Sequence, residues 1–171
     1  MAWAARPRIP TLGLAAIAVA ILVAADPHRA PRLVWNASPS VPVGLYWIVN
    51  RSPRVGTVAA VRLPANIAAL AHARGYLARN AILLKPVVAT HGSRVCRWAN
   101  VVLFDGRHRA HAKSHDAAAR PLPRWDGCVT LGASDHFLLS TAPGSFDGRY
   151  FGVLRGDAAI GQAIPLWTLQ P

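Results

Sequence analysis

Hydrophobic and polar positions divide the chain into two regimes. Residues 9–25, IPTLGLAAIAVAILVAA, contain no charge. A helix of that length would rise about 26 Å, just enough to cross the hydrocarbon core of a bilayer. After Asp26-Pro27 the apolar runs become short and are broken by Gly, Pro, Asn and Asp, the rhythm of an all-β domain. This pattern predicts strands over residues 45–49, 57–63, 82–89, 95–98, 101–104, 136–140 and 150–154, with a last one near 163–169. Asn100 and Asp105-Gly106 read as turns, the second a hairpin signal. Residues 66–74 are Ala-rich and predict one short helix, with Asn66 as its N-cap. Residues 107–124 are polar, contain Pro121 and Pro123, and predict an exposed loop. The expected organisation is a flank at 1–8, a membrane anchor at 9–25 and a mainly β domain at 26–171.

Composition sharpens this division. Hydrophobic residues make up 53% of the 171 and charged residues 15%, which excludes a charge-rich disordered chain. The 19 basic residues are 17 Arg and two Lys, and the seven acidic residues are all Asp. A net charge of +12 favours anionic partners. The arginines are scattered singly, however, so the expected partner is a lipid bilayer and not nucleic acid. Arg6 and Arg8 before the apolar run also suit a cleavable signal peptide. The small-x-small site Ala18-Val19-Ala20 lies inside that run, which favours an uncleaved anchor. Arg29 and Arg32 on the far flank leave the positive-inside count nearly tied.

Cys96 and Cys128 are the only cysteines and show no zinc-type spacing, so no metal or cofactor is expected. Such a pair suggests a disulfide in an oxidising compartment, worth about 3–4 kcal/mol for a loop of this length. Two free thiols in a cytosolic domain are the other reading. The disulfide reading places the N-terminus, residues 1–8, on the cytoplasmic side of a bacterial inner membrane and the β domain in the periplasm.

Three segments could carry chemistry. Lys85 stands in the apolar run Ile82-Leu83-Leu84-Lys85-Pro86-Val87-Val88, in a chain that otherwise prefers Arg. A guanidinium does not give up its proton in a protein, whereas a buried lysine can, because desolvation lowers its pKa. A neutral amine is a competent general base; a strand-edge lysine snorkelling to water is the plainer reading. Ser38 and Ser40 lie in Asn36-Ala37-Ser38-Pro39-Ser40-Val41-Pro42-Val43-Gly44, where the prolines stiffen a turn that could hold a serine nucleophile. A simple Ser/Pro linker is the alternative. Asp147 and Arg149, two apart, could form an ion pair. His108, His111, His115 and Asp116 read as a solvated loop and not as a metal site. Ser134-Asp135-His136 reads as a turn, because adjacent residues cannot adopt a triad geometry.

The ordered set of an apolar anchor, Ser-x-Ser-x-Pro with a following Gly44 and Tyr46, Lys85 in an apolar strand, and Ser145-x-Asp147-x-Arg149 resembles the type I signal peptidases. The nearer resemblance is to the TraF-type maturation peptidases of conjugative transfer. It is carried also by Leu122-Pro123-Arg124-Trp125-Asp126-Gly127-Cys128 and by the segment from Phe137 to Gly152, and it spans roughly residues 10–165. It implies a signal-peptidase-like coiled β-sheet domain behind one transmembrane helix, and a serine endopeptidase. It makes Ser40 the nucleophile, Lys85 its general base, Ser38 a contributor to the oxyanion site, and Asp147 with Arg149 a supporting pair. The implied substrate is a membrane-associated protein, a pro-pilin or leader-bearing precursor. One departure is that Pro86 and His91-Gly92-Ser93 follow the lysine where signal peptidases carry a basic residue and a Gly-Asp turn. Two other classes are a non-catalytic anchored subunit of a conjugation or secretion apparatus, and a self-cleaving regulator, which the anchor and the lack of a DNA-binding segment disfavour.

Overall fold

The computed structural model describes residues 32–106, 108–142 and 144–169. The flank at 1–8 and the apolar run at 9–25 lie outside the described residues. The elements in chain order are β1 (Leu33–Asn36), β2 (Gly44–Val49), β3 (Val58–Val61), α1 (Ala65–Ala73), β4 (Leu83–Ala89), β5 (Arg94–Trp98), β6 (Val101–Phe104), β7 (His108–His111), β8 (Gly127–Thr130), β9 (Phe137–Leu138), α2 (Gly148–Phe151), a 3-10 turn (Gly156–Ala158) and β10 (Ala159–Thr168). The expected mainly β domain is observed. Its strands form a six-stranded sheet in the order β1-β2-β10-β3-β4-β9 and a four-stranded sheet in the order β7-β6-β5-β8. Every named pairing is antiparallel.

Burial explains the pairing. Along β2 buried residues alternate with half-buried ones, and Tyr46 and Ile48 pack with Leu84 and Ala163. In β4 the alternation fails, because both faces of the strand are covered. Leu84 joins the Tyr46 cluster, whereas Leu83 and Val87 pack with Ala59, Leu138 and Leu154 on the other face. Lys85 shares the Leu83 face and pairs with Ala59 of β3. The strand continues through Pro86 to Ala89, and β9 pairs with it only from Val87 onward. Phe137 of β9 packs into a third cluster with Val95, Val102 and Leu131, so one strand ties the two sheets together.

Several local expectations are corrected. Residues 150–154 do not form a strand. Gly148–Phe151 is a single helical turn, N-capped by the Asp147 side chain, which accepts the Arg149 N–H. Leu154 keeps only an isolated bridge to His136. The cap outweighs the apolar run, which is too short to fix a strand by itself. Helix α1 starts at Ala65, and Pro64, not Asn66, holds the cap position, with no side-chain cap bond. Proline needs no N–H partner there and brings a fixed φ. Residues 107–124 are not simply a loop: they carry the edge strand β7 and a hairpin closed by the bridge His115–Pro121. Strands β1 and β8 are also additional to those expected.

Cys96 and Cys128 face one another across β5 and β8, with Cα atoms 4.0 Å apart, and form a disulfide. This sets the free-thiol reading aside. On the opposite edge of the molecule, Leu33 and Trp35 of β1 and Leu166 and Trp167 of β10 are about half exposed, at 48%, 53%, 57% and 56%. The two indoles stack at 5.9 Å. Among the described residues no helix is long and apolar enough to cross a membrane.

Gly148 is required where α2 presses onto β9. A Cβ there would lie 2.6 Å from Phe137 Cε2 and 2.7 Å from the Leu138 carbonyl oxygen. Gly148→Ala is therefore expected to lower the unfolding free energy by about 1–3 kcal/mol, the usual cost of overpacking. Thermal denaturation checks this, and a wild-type melting midpoint would show that the turn can lift away freely.

Candidate active site

The loop between β1 and β2 is held by one side chain. Asn36, buried at the end of β1, donates through Nδ2 to the carbonyls of Ser38 at 2.7 Å, Val41 at 3.0 Å and Pro42 at 3.1 Å. Tyr46 Oη donates to the Pro42 carbonyl at 2.7 Å from the adjoining strand. Gly44 ends the loop at φ +154°, where a Cβ would strike the Trp167 carbonyl oxygen at 2.2 Å. The prolines stiffen the loop, and Asn36 with Tyr46 fixes its shape. Ser40 is thereby presented to β4.

Lys85 is 2% exposed, so its ammonium does not snorkel. Its Nζ donates to Ser40 Oγ, in a very short contact, and to Ser145 Oγ at 2.6 Å. The two hydroxyls lie 3.3 Å apart. Among the described residues no carboxylate lies within ion-pair distance of Nζ. Burial lowers the Lys85 pKa to about 8; the Asp147 charge opposes this shift and the Arg149 charge adds to it. The amine can thus exist neutral at moderate pH, with a lone pair available to the Ser40 proton.

Asp147 and Arg149 form a buried bidentate pair, Arg149 Nη2 to Asp147 Oδ2 at 2.8 Å and Nε to Oδ1 at 2.9 Å. The pair reaches the serine loop through Ser140. Asp147 Oδ2 accepts the Ser140 N–H at 3.0 Å, Arg149 Nη2 donates to the Ser140 carbonyl at 2.6 Å, and Ser140 Oγ donates to the Ser40 carbonyl at 2.8 Å. Buried Arg97 of β5 donates to the Arg149 carbonyl, which ties the disulfide-bearing sheet to the same turn.

The structure therefore brings Ser40, Lys85, Asp147 and Arg149 together through direct contacts and the Ser140 bridge. Ser38 lines the same cleft, its hydroxyl donating to Asn36 Oδ1 at 3.1 Å. The disulfide lies in the other sheet. Ser145, Ser140, Asn36 and Arg97 received no role from sequence alone. Ser145 opens Ser145-x-Asp147-x-Arg149, and its spacing from Asp147 is the available signal; Ser140 stands in an ordinary Leu-Leu-Ser segment that gives none. Ser134-Asp135-His136 is a turn, with Asp135 accepting the Gly132 N–H and His136 buried against the Pro53 carbonyl. Among the described residues no group of three His, Cys, Asp or Glu could hold a metal ion. The cleft has a volume of about 520 Å³, with Leu77, Leu83, Leu122 and Phe146 forming apolar walls beside Ser40 and Lys85.

A buried amine whose pKa is lowered binds protons less tightly in the folded state than in the unfolded chain. Its presence therefore costs stability below pH 8, and the cost fades as pH rises toward the unfolded value near 10.4. Relative to Lys85→Met, the wild-type unfolding free energy is expected to rise by about 3 kcal/mol across that window. Denaturant titrations at several pH values check this. A difference that does not change with pH would mean that the amine is solvated.

Comparison with known proteins gives the family. The signal peptidase, peptidase S26, family model matches residues 6–167. The chain is 33% identical to the plasmid transfer protein TraF of Escherichia coli over 161 residues, covering 87% of this chain and 90% of that protein. It is 33% identical to the conjugal transfer protein TraF of Agrobacterium tumefaciens over 173 residues, covering 92% and 93%. The probable conjugal transfer protein TraF of Sinorhizobium fredii is 33% identical over 149 residues, covering 80% and 77%. With a serine and a buried lysine in contact on a mainly β scaffold, and likeness over nearly its whole length, the chain belongs to the S26 signal-peptidase family and is a TraF-type protein of that family.

Proposed function

We propose that this protein is a membrane-anchored serine endopeptidase that matures a protein precursor through an acyl-enzyme. The observation that carries the reading is the Lys85 amine, buried without a contacting carboxylate and hydrogen-bonded to Ser40. In its neutral form the amine keeps two N–H bonds and one lone pair. One N–H goes to Ser145 Oγ, which aims the lone pair at the Ser40 hydroxyl. Lys85 then takes the Ser40 proton as Ser40 Oγ attacks a peptide carbonyl, and returns it to the departing amine. The Ser38 hydroxyl, turning its O–H from Asn36 Oδ1 toward the substrate, and the Ser40 backbone N–H stabilise the oxyanion. Water, or an amine of the substrate, releases the acyl group. Asp147, Arg149 and Ser140 hold the serine loop against β4 and do not touch the reacting atoms.

The names of the relatives, plasmid and conjugal transfer proteins, support a role in conjugation, with a pro-pilin or leader-bearing precursor as substrate. Residues 9–25 serve as an inner-membrane anchor, with the β domain in the periplasm, where Cys96 and Cys128 oxidise. Only residues 26–32 separate the apolar run from β1, a reach of at most about 25 Å. The exposed Trp and Leu side chains of β1 and β10 suit the interfacial zone of a bilayer. Substrates emerging from the membrane meet such a site directly.

Ser40→Ala and Lys85→Arg are both expected to reduce precursor cleavage by about 10²-fold or more, since the arginine keeps the charge but cannot act as a base. In the wild type, kcat/KM is expected to rise with pH and level off above about 8, as the folded-state Lys85 loses its proton. A gel-shift cleavage assay with purified full-length protein and precursor checks both. Normal cleavage by Lys85→Arg would overturn Lys85 as the base, and no cleavage by the wild type would leave the chain as a non-catalytic subunit.

A further inference from the structure

One wall of the cleft is a hairpin fastened to the end of α1. Its two arms are joined by the Leu122 N–H to the Ser114 carbonyl at 2.8 Å and the Asp116 N–H to the Arg120 carbonyl at 2.9 Å. Asp116 sits at its turn and is fully occupied. It accepts the Tyr76 hydroxyl, the N–H groups of Ala118 and Arg120 at 2.9 Å each, and Arg120 Nε at 2.7 Å. Arg120 also lies over the Tyr76 ring, 5.7 Å from its centroid, and donates to the Arg74 carbonyl at 3.3 Å. Arg74 Nη1 returns a bond to the Pro121 carbonyl at 2.7 Å. At the base of the hairpin, the Lys113 N–H donates to Tyr150 Oη at 3.1 Å. The wall is held at its turn, at its Pro121 arm and at its base.

This fastening decides the charge of the cleft. The charged or titratable groups lining it are Lys85, Lys113, His115, Asp116, Tyr76 and Tyr150. The one carboxylate among them spends its oxygens on Tyr76, Arg120 and the hairpin backbone. Lys113 and His115 are exposed, and among the described residues neither has an ion-pair partner. His115 Nδ1 touches only Ser114 Oγ, at 3.0 Å. Beyond Ser40 and Lys85, the uncompensated charge of the cleft is positive and lies on a wall tied by hydrogen bonds to Tyr76, Arg74 and Tyr150. In a chain with two lysines, one stands at the serine and the other on this wall.

We propose that the hairpin wall is a substrate subsite for a carboxylate, held by Lys113 with His115 beside it. The carboxylate belongs to an acidic side chain near the scissile bond or to the free C-terminus of the polypeptide being cut. The inference rests on the peptidase reading above and names the substrate class of that same site.

The test uses the full-length protein in detergent and one cleavable peptide sequence in three forms. These carry Glu or Gln at each flanking position in turn with an amidated C-terminus, or Gln throughout with a free C-terminus. At one or two positions Glu is expected to raise kcat/KM over Gln by about 2- to 5-fold, the size of an exposed ion pair, through KM and not kcat. Added salt shrinks the ratio. Lys113→Gln brings it close to one, whereas Lys113→Arg retains it. A preference for the free C-terminus that disappears in Lys113→Gln would identify the terminal carboxylate as the source. Peptides cleaved at equal rates in all three forms, or a preference untouched by Lys113→Gln, would overturn the subsite and leave the peptidase standing. Failure to cut any peptide, or the precursor itself, would remove both.

Discussion

The site depends on an amine held away from water without a carboxylate to compensate it. Lys85 lies on a strand covered on both faces, so its ammonium loses hydration and gains only two hydroxyl partners. Desolvation lowers its pKa to about 8, so the amine gives up its proton more readily than an exposed lysine. The strand tolerates the arrangement because the Leu83, Leu84 and Val87 side chains around it belong to two separate packed clusters. A lysine on an edge strand of the same sequence would reach solvent and stay charged.

Asp147 is close enough to act on Lys85 electrostatically, and its charge raises the Lys85 pKa. Arg149 takes both carboxylate oxygens, and the Ser140 N–H takes one of them as well. The charges of the pair then act on Lys85 in opposite directions, and burial dominates. The same pair grips Ser140, and Ser140 grips the Ser40 carbonyl, so one ion pair leaves the amine without a carboxylate contact while fixing the serine loop. Isolated surface pairs contribute little. This one matters through what it positions.

Much of the site was legible in the sequence because its parts carry local signatures. A lysine among leucines in an arginine-rich chain, serines between prolines, and Ser145-x-Asp147-x-Arg149 are each visible within a few residues. Most strand positions followed from the short apolar runs. Residues 150–154 were misread because an N-cap bond and the close approach of Gly148 to β9 override a five-residue apolar pattern. Residues 107–124 look like an exposed loop because their polar side chains bond to one another and to Tyr76 and Arg74, partners about 40 residues away in the chain.

The sequence by itself determined the mainly β character of the domain and singled out Ser38, Ser40, Lys85 and the two cysteines as candidates, since composition, alternation and short motifs are local properties. Tertiary structure decided that Lys85 is buried beside Ser40 and Ser145, that Ser140 bridges the ion pair to the serine loop, and that Asp116 is neutralised within a fixed wall. These features depend on desolvation and on hydrogen bonds such as Tyr76 to Asp116, Lys85 to Ser40 and Ser40 to Ser145, between residues 40, 45 and 105 positions apart. Such quantities exist only once the strands have paired and excluded water.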